Sequence, residues 1–152
     1  MIKVHKLIAG CFGIGYVKGG GTLAAIVCCV GWWLVQADGN FNKGMIIVTV
    51  VIIITGIWSA TIVEPGWGKD SSRVVIDEAA GMCISLLFVP VTVPYLLAGL
   101  LLFRFFDIVK PLFIRKAEAL PGGGGVMVDD LLAGVYTNVM IQVLVYFNVF
   151  NG

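Results

Sequence analysis

The sequence predicts an all-α fold: a polytopic integral membrane helical bundle of about five spans plus a short N-terminal interfacial or re-entrant helix. Three observations predict it. Of 152 residues, 59% are hydrophobic and only 12% are charged, with a mean hydropathy of +1.01. Soluble domains carry about 25% charged residues, so this chain lacks the polar surface that water requires, and lipid removes that requirement. The apolar residues also fall into stretches near the length of about 20 that a transmembrane helix needs. Finally, the positive charges segregate to one side of those stretches, as topology rules demand.

Taken in order, the elements justify this reading. Leu7 to Val17 is too short to cross and reads as the interfacial or re-entrant piece. The first span runs from Thr22 to Val35, lengthened by Gly19–Gly21 and by Trp32 and Trp33, a pair suited to a membrane–water interface. Gly44 to Val63 is a second, strongly apolar span. Val74 to Val89 is a third, opening on Asp77 and Glu78 and ending before a turn bracketed by Pro90 and Pro94. Val93 to Val109 is a fourth, stopped by Pro111, and Val126 to Phe150 is a fifth, with Asp129 and Asp130 near its start. One membrane-embedded domain, residues 1–152, accommodates all of them. The opening Met-Ile-Lys-Val-His-Lys lacks the features of a cleavable signal.

With the N-terminus in the cytoplasm, Lys3, Lys6, Lys18, Lys69, Arg73, Arg104, Lys110, Arg115 and Lys116 fall inside and only Lys43 falls outside. The acids follow. Asp70, Asp77 and Glu78 precede or open the third span, Asp107 closes the fourth, and Asp129 and Asp130 open the fifth; Glu64 and Glu118 share that side, and Asp38 is opposite. Helix dipoles favour acids in a first turn, so solvated helix ends account for Asp77 or Asp129 singly. That account fails for Asp107, near a helix C-terminus, and for two adjacent pairs together. Carboxylates at membrane spans are costly and mark function.

Carboxylates without Cys or His partners suit a hard cation such as Mg²⁺, which also binds phosphates. Gly81 lies one turn from Asp77 and Gly134 one turn from Asp130. Small residues there let two helices pack closely and present their acids to a shared metal, although ordinary helix packing uses the same device. Arg104 and Lys110 offer charge for a phosphate. Gly19–Gly21 and Thr22 lead into a helix N-terminus that attracts anions, with Thr22 serving either substrate or simply as an N-cap. Gly122–Gly125 is either a mobile cover over the site or a plain linker.

Net charge is +1, which leaves no broad basic face for nucleic acid. Cys11, Cys28, Cys29 and Cys83 form no metal spacing or disulfide framework and read as small buried hydrophobes. A lone histidine, His5, is too little for a phosphohistidine route. Cys-x5-Arg, Asp-x-Asp and Walker patterns are absent, which leaves metal-activated water attacking a phosphate ester.

Four motifs in order then resemble the phosphatidylglycerophosphatase A family. They are Gly13-Ile14-Gly15 followed by Gly21-Thr22-Leu23-Ala24-Ala25; Val75-Ile76-Asp77-Glu78-Ala79-Ala80-Gly81-Met82; Phe103-Arg104-Phe105-Phe106-Asp107-Ile108-Val109-Lys110-Pro111; and Gly124-Gly125-Val126-Met127-Val128-Asp129-Asp130-Leu131-Leu132-Ala133-Gly134. The resemblance implies a Mg²⁺-dependent enzyme of the bacterial inner membrane. It would hydrolyse phosphatidylglycerophosphate, a phospholipid held in the membrane, to phosphatidylglycerol and phosphate at the cytoplasmic surface. It implies Asp77, Glu78, Asp107, Asp129 and Asp130 as catalytic residues. Asp77, Glu78, Asp129 and Asp130 would be the metal ligands, with Asp70 a further candidate, and Arg104, Lys110, Thr22 and Gly21 would hold the phosphate. Where the family usually has Pro-Gly-Thr-x-Gly-Ser, this chain has Val17-Lys18-Gly19-Gly20-Gly21-Thr22. On these expectations Asp129→Asn abolishes phosphate release. The competing reading is a small membrane transporter or channel that uses the acidic cluster for cations. A CDP-alcohol phosphotransferase also clusters aspartates, but its long Asp-Gly…Ala-Arg…Gly…Asp…Asp pattern is missing here.

Overall fold

The computed structural model describes residues 1–36, 41–111, 113–117 and 119–150; Asp38 and Glu118 lie outside them. Among the described residues the chain is entirely helical. α1 spans Ile2–Ala9 and is followed by a 3₁₀ segment, Cys11–Tyr16. Then come α2 (Gly20–Val35), α3 (Phe41–Trp67), α4 (Ile76–Leu86), α5 (Val93–Val109), the single turn α6 (Ile114–Ala117) and α7 (Gly123–Tyr146).

Two helices are long and apolar enough to cross a membrane, over Lys43–Trp67 in α3 and Gly123–Tyr146 in α7. They match the second and fifth expected spans. α5 has the expected bounds but only 17 residues, and α2 has 16. Within the third expected span, Val74 to Val89, the helix is shorter than the apolar run: α4 has 11 residues and is about 16 Å long at 1.5 Å per residue. Its C-terminus is stopped by Phe88 at φ 60° and then Pro90. The carbonyls this leaves open are taken up by α7. Asn138 Nδ2 donates to the oxygens of Ile84 (3.1 Å), Ser85 (3.1 Å) and Leu87 (2.8 Å), and Gln142 Nε2 donates to Phe88 O at 3.3 Å. A helix can end inside an apolar bundle only when such groups are satisfied by protein.

The N-terminal segment fits the expected short, non-spanning piece, but as two parts. α1 ends at Ala9, and the chain turns through positive φ at Cys11 and Phe12 into the 3₁₀ segment. The Val75 amide donates to Ala9 O at 2.9 Å, tying this hairpin to the entry of α4.

α4 is the centre of the bundle. It packs most extensively on α7 and is also flanked by α2, α3 and α5. Its closest approach is the glycine contact anticipated from the sequence. A Cβ on Gly134 would run into the Gly81 carbonyl, and a Cβ on Gly81 would meet Asp130 O at 2.5 Å and the Phe103 ring at 2.6 Å. Trp32, Met82, Leu86, Phe103 and Met45 fill the core beside this contact. Trp32 is buried among these side chains, whereas its neighbour Trp33 is exposed. The outer faces are apolar: Ile47 (64% exposed), Ile54 (61%), Leu101 (71%) and Ile108 (70%) point away from the bundle. Such a surface is unsuited to water and suited to lipid.

Candidate active site

Asp77 and Glu78 lie in the first turn of α4 and Asp129 and Asp130 in the second turn of α7, and each pair uses the same local bond. The Glu78 amide donates to Asp77 Oδ1 at 3.0 Å, and the Asp130 amide donates to Asp129 Oδ1 at 3.0 Å. Because α4 and α7 touch at Gly81 and Gly134, the pairs converge. Asp77, Glu78 and Asp130 each place a carboxylate oxygen within 4.8 Å of the others. Asp77 and Asp130 are buried, and Glu78 is partly so. From the end of α5, Asp107 sets its carboxylate against Asp130. Arg104, one turn earlier, bonds Asp107 and lies 3.9 Å from Glu78 Oε1. Four carboxylates with one guanidinium leave a formal charge of −3, which a divalent cation would largely relieve. Glu78 Oε2 is buried without a partner among the described residues, so one ligating lone pair is available. All donors are hard oxygens, and the set fits Mg²⁺.

Asp129 faces elsewhere. Lys110, in the left-handed conformation at the end of α5 (φ 49°), places Nζ 2.7 Å from Asp129 Oδ2. Asp70, exposed in the turn before α4, adds its negative charge to this second group.

A polar cleft of about 600 Å³ opens beside the first group. Its walls are the Gly15–Gly21 loop on one side and Ser72, Arg73 and Glu78 on the other. Gly19 (φ 79°) turns the chain into α2, and a Cβ on Gly21 would collide with the Glu78 carboxylate. Two apolar grooves of about 350 and 320 Å³ flank α2 further along its length.

These features coincide with one protein family. Residues 7–145 match the profile of phosphatidylglycerophosphatase A. The chain belongs to that family. It is 41% identical over 144 residues to a Bacteroides thetaiotaomicron protein named putative phosphatidylinositol-3-phosphatase, covering 90% of this chain and 91% of that one. It is 40% identical over 79 residues to phosphatidylglycerophosphatase A of Haemophilus influenzae, covering 51% of this chain and 48% of the relative. For the Escherichia coli phosphatidylglycerophosphatase A the identity is 40% over 68 residues, covering 43% of this chain and 40% of the relative. The chain thus aligns with under half the length of these last two. No solved structure matches.

Within this chain, the sequence-derived candidates divide. Asp77, Glu78, Asp107 and Asp130 form one group with Arg104; Asp129, Lys110 and Asp70 form another. Arg104 and Lys110, expected to hold phosphate, are both engaged by carboxylates. Gly21 lines the cleft. Thr22 is exposed within the first turn of α2, whose N-cap is Gly19, so it is not the cap. Gly122–Gly125 is neither cover nor linker: Gly122 caps α7, and Gly123–Gly125 form its first turn. The Gly123 amide donates to Thr61 Oγ1 at 3.2 Å. Sequence reasoning missed Lys18, Ser72 and Arg73 as cleft residues; it counted the two cations only toward topology. The glycine run beside Lys18 was the available signal. Desolvation, with Cys28 and Glu78 adding to it, pushes the Cys11 thiol up to about 12, which removes it as a nucleophile at neutral pH.

Proposed function

We propose that this chain is a Mg²⁺-dependent phosphomonoesterase of the cytoplasmic (inner) membrane of a bacterium, cleaving phosphatidylglycerophosphate to phosphatidylglycerol and phosphate at the cytoplasmic surface. The observation that carries the reading is the convergence of Asp77, Glu78 and Asp130 beside an open polar cleft, in a chain of this family. In this reading the bundle crosses five times. α4 completes its crossing through the irregular segment 87–92, and the N-terminus and the acids stand on the positively charged, cytoplasmic side.

Asp77, Glu78 and Asp130 would hold the cation, which would supply Lewis acidity for phosphate ester hydrolysis. Glu78 stands where cluster and cleft meet, so it is the carboxylate that adjoins both the cation site and an incoming phosphate. Asp107 and Arg104 fix the far side of the cluster. Arg104 also offers positive charge to the phosphoryl oxygens as water attacks phosphorus and the lipid alcohol departs. Lys110 holds Asp129, and with it the second turn of α7, in register.

The full-length similarity to a protein named for phosphatidylinositol 3-phosphate favours a second lipid of the same chemistry. A transporter would need its acids along a pathway near the midplane, whereas these lie at helix ends. The test is phosphate release by purified protein from phosphatidylglycerophosphate, phosphatidylinositol 3-phosphate, phosphatidic acid and a soluble phosphomonoester, with Mg²⁺ and after chelation. Metal-dependent release from a lipid is expected. No metal-dependent release from any of the four would sink the enzyme reading.

A further inference from the structure

We propose that the cleft between the Gly15–Gly21 loop and Ser72–Arg73 is a subsite for the phosphodiester of a lipid whose scissile phosphomonoester lies at the carboxylates. The inference rests on the phosphatase reading above and narrows its substrate class to lipids that carry both kinds of phosphate.

Four observations carry it. Glu78 belongs to both places: it is one of the three convergent carboxylates and a wall of the cleft, so a molecule filling the cleft reaches the reacting group. The cluster has little positive charge to spare for a second phosphate, because Arg104 and Lys110 are already paired with carboxylates. Lys18 and Arg73, by contrast, line the cleft and make no ion pair among the described residues. Two cations that no carboxylate pairs among the described residues, in a concave wall they share with Glu78, offer an anion site.

Arg73 is also held in place. Its guanidinium lies 5.9 Å from the Tyr16 ring centroid and 6.0 Å from that of Trp67. Cation–π contacts with two rings restrain an arginine without consuming its N–H donors, which can bond phosphate. Gly15 is packed directly on the Arg73 carbonyl, where a Cβ would clash, so loop and arginine are fixed to each other. The fourth observation is size. At about 600 Å³ the cleft exceeds what a lone phosphate fills and falls in the range of small-molecule pockets. A polyol joining two phosphates needs that room; phosphatidic acid, which has a monoester and no diester, does not use it.

The experiment measures kcat/KM of the full chain in detergent on phosphatidylglycerophosphate, phosphatidylinositol 3-phosphate and phosphatidic acid. Wild type is compared with Lys18→Ala, Arg73→Ala and Arg73→Lys. A lost charged hydrogen bond corresponds to about 10- to 100-fold. Both alanine variants should therefore lose roughly that much on the two diester lipids, mostly through KM, and at least ~10-fold more than on phosphatidic acid. Arg73→Lys should recover part of the loss. If Arg73→Ala does not fold, Lys18→Ala carries the test, because Lys18 is exposed on a loop. Equal losses on all three lipids, no loss on any, or wild-type preference for phosphatidic acid would overturn the subsite while leaving the phosphatase intact. A wild type inactive on every lipid would instead remove the reading beneath it.

Discussion

Asp129 and Asp130 are neighbours on α7, each only 3% exposed, and they occupy opposite electrostatic settings. Successive residues on a helix point about 100° apart, so one step along the chain selects a different partner. Asp130 turns toward α4 and meets Asp77, Glu78 and Asp107. Asp129 turns toward the end of α5 and meets an ammonium at 2.7 Å. A buried carboxylate that already has its cation is structural; one crowded by other carboxylates needs a cation from outside. In the function proposed above, the cation would sit on the Asp130 side, with Asp129 as an anchor.

The largest effect that separates the two sides is on turnover. Asp130→Asn should lower phosphate release by about 10³-fold or more, as loss of a group acting on the reacting centre does, while Asp129→Asn should cost roughly 10-fold through misalignment. A steady-state assay on both variants decides it, and the reverse order would break the comparison. The next effect is on stability. Lys110→Met leaves Asp129 buried without its partner and should destabilise by about 1–3 kcal/mol in denaturant unfolding, less than a fully buried pair because Lys110 is 21% exposed. The double variant Lys110→Met/Asp129→Asn should regain part of that loss; no recovery would mean that the pair is not what Lys110 stabilises.

Smaller again is the helix contact beneath both aspartates. Gly134→Ala forces α7 off the Gly81 carbonyl and should cost about 1–3 kcal/mol together with a fall in activity. Gly31→Ala, at a position on α2 where a Cβ meets nothing within 4 Å, should change stability by under about 1 kcal/mol in the favourable direction. Equal penalties at the two glycines would show that the α4–α7 contact is not tight.

Much of this was legible before any coordinates. The bounds of α5, the convergence of acids from three helices and the Gly81–Gly134 contact follow from apolar run length and from spacing of one turn. What stayed hidden depends on tertiary partners. The apolar run Val74 to Val89 reads as one span because the polar atoms that end α4 early, on Asn138 and Gln142, lie more than 50 residues away. The split between Asp129 and Asp130 depends on where Lys110 lands, which a left-handed residue at the end of α5 decides. In the proposed reading the larger loss first expected of Asp129→Asn is expected of Asp130→Asn, and the assay of both variants decides between them. Gly122–Gly125 reads as loop by composition, yet Thr61 and the α3 backbone hold it as helix. Lys18 and Arg73, far apart in sequence, share a cleft only after Gly15 packs on Arg73.

The central claim is that Asp77, Glu78 and Asp130 hold a divalent cation. Thermal unfolding of purified protein in detergent across a Mg²⁺ titration tests it most directly, because a ligand at 100 times its Kd stabilises by about 2.7 kcal/mol. The wild type and Asp129→Asn should show a Tm that rises with Mg²⁺ concentration, and Asp130→Asn should not. A wild-type Tm indifferent to Mg²⁺, or a full shift retained in Asp130→Asn, would contradict the assignment.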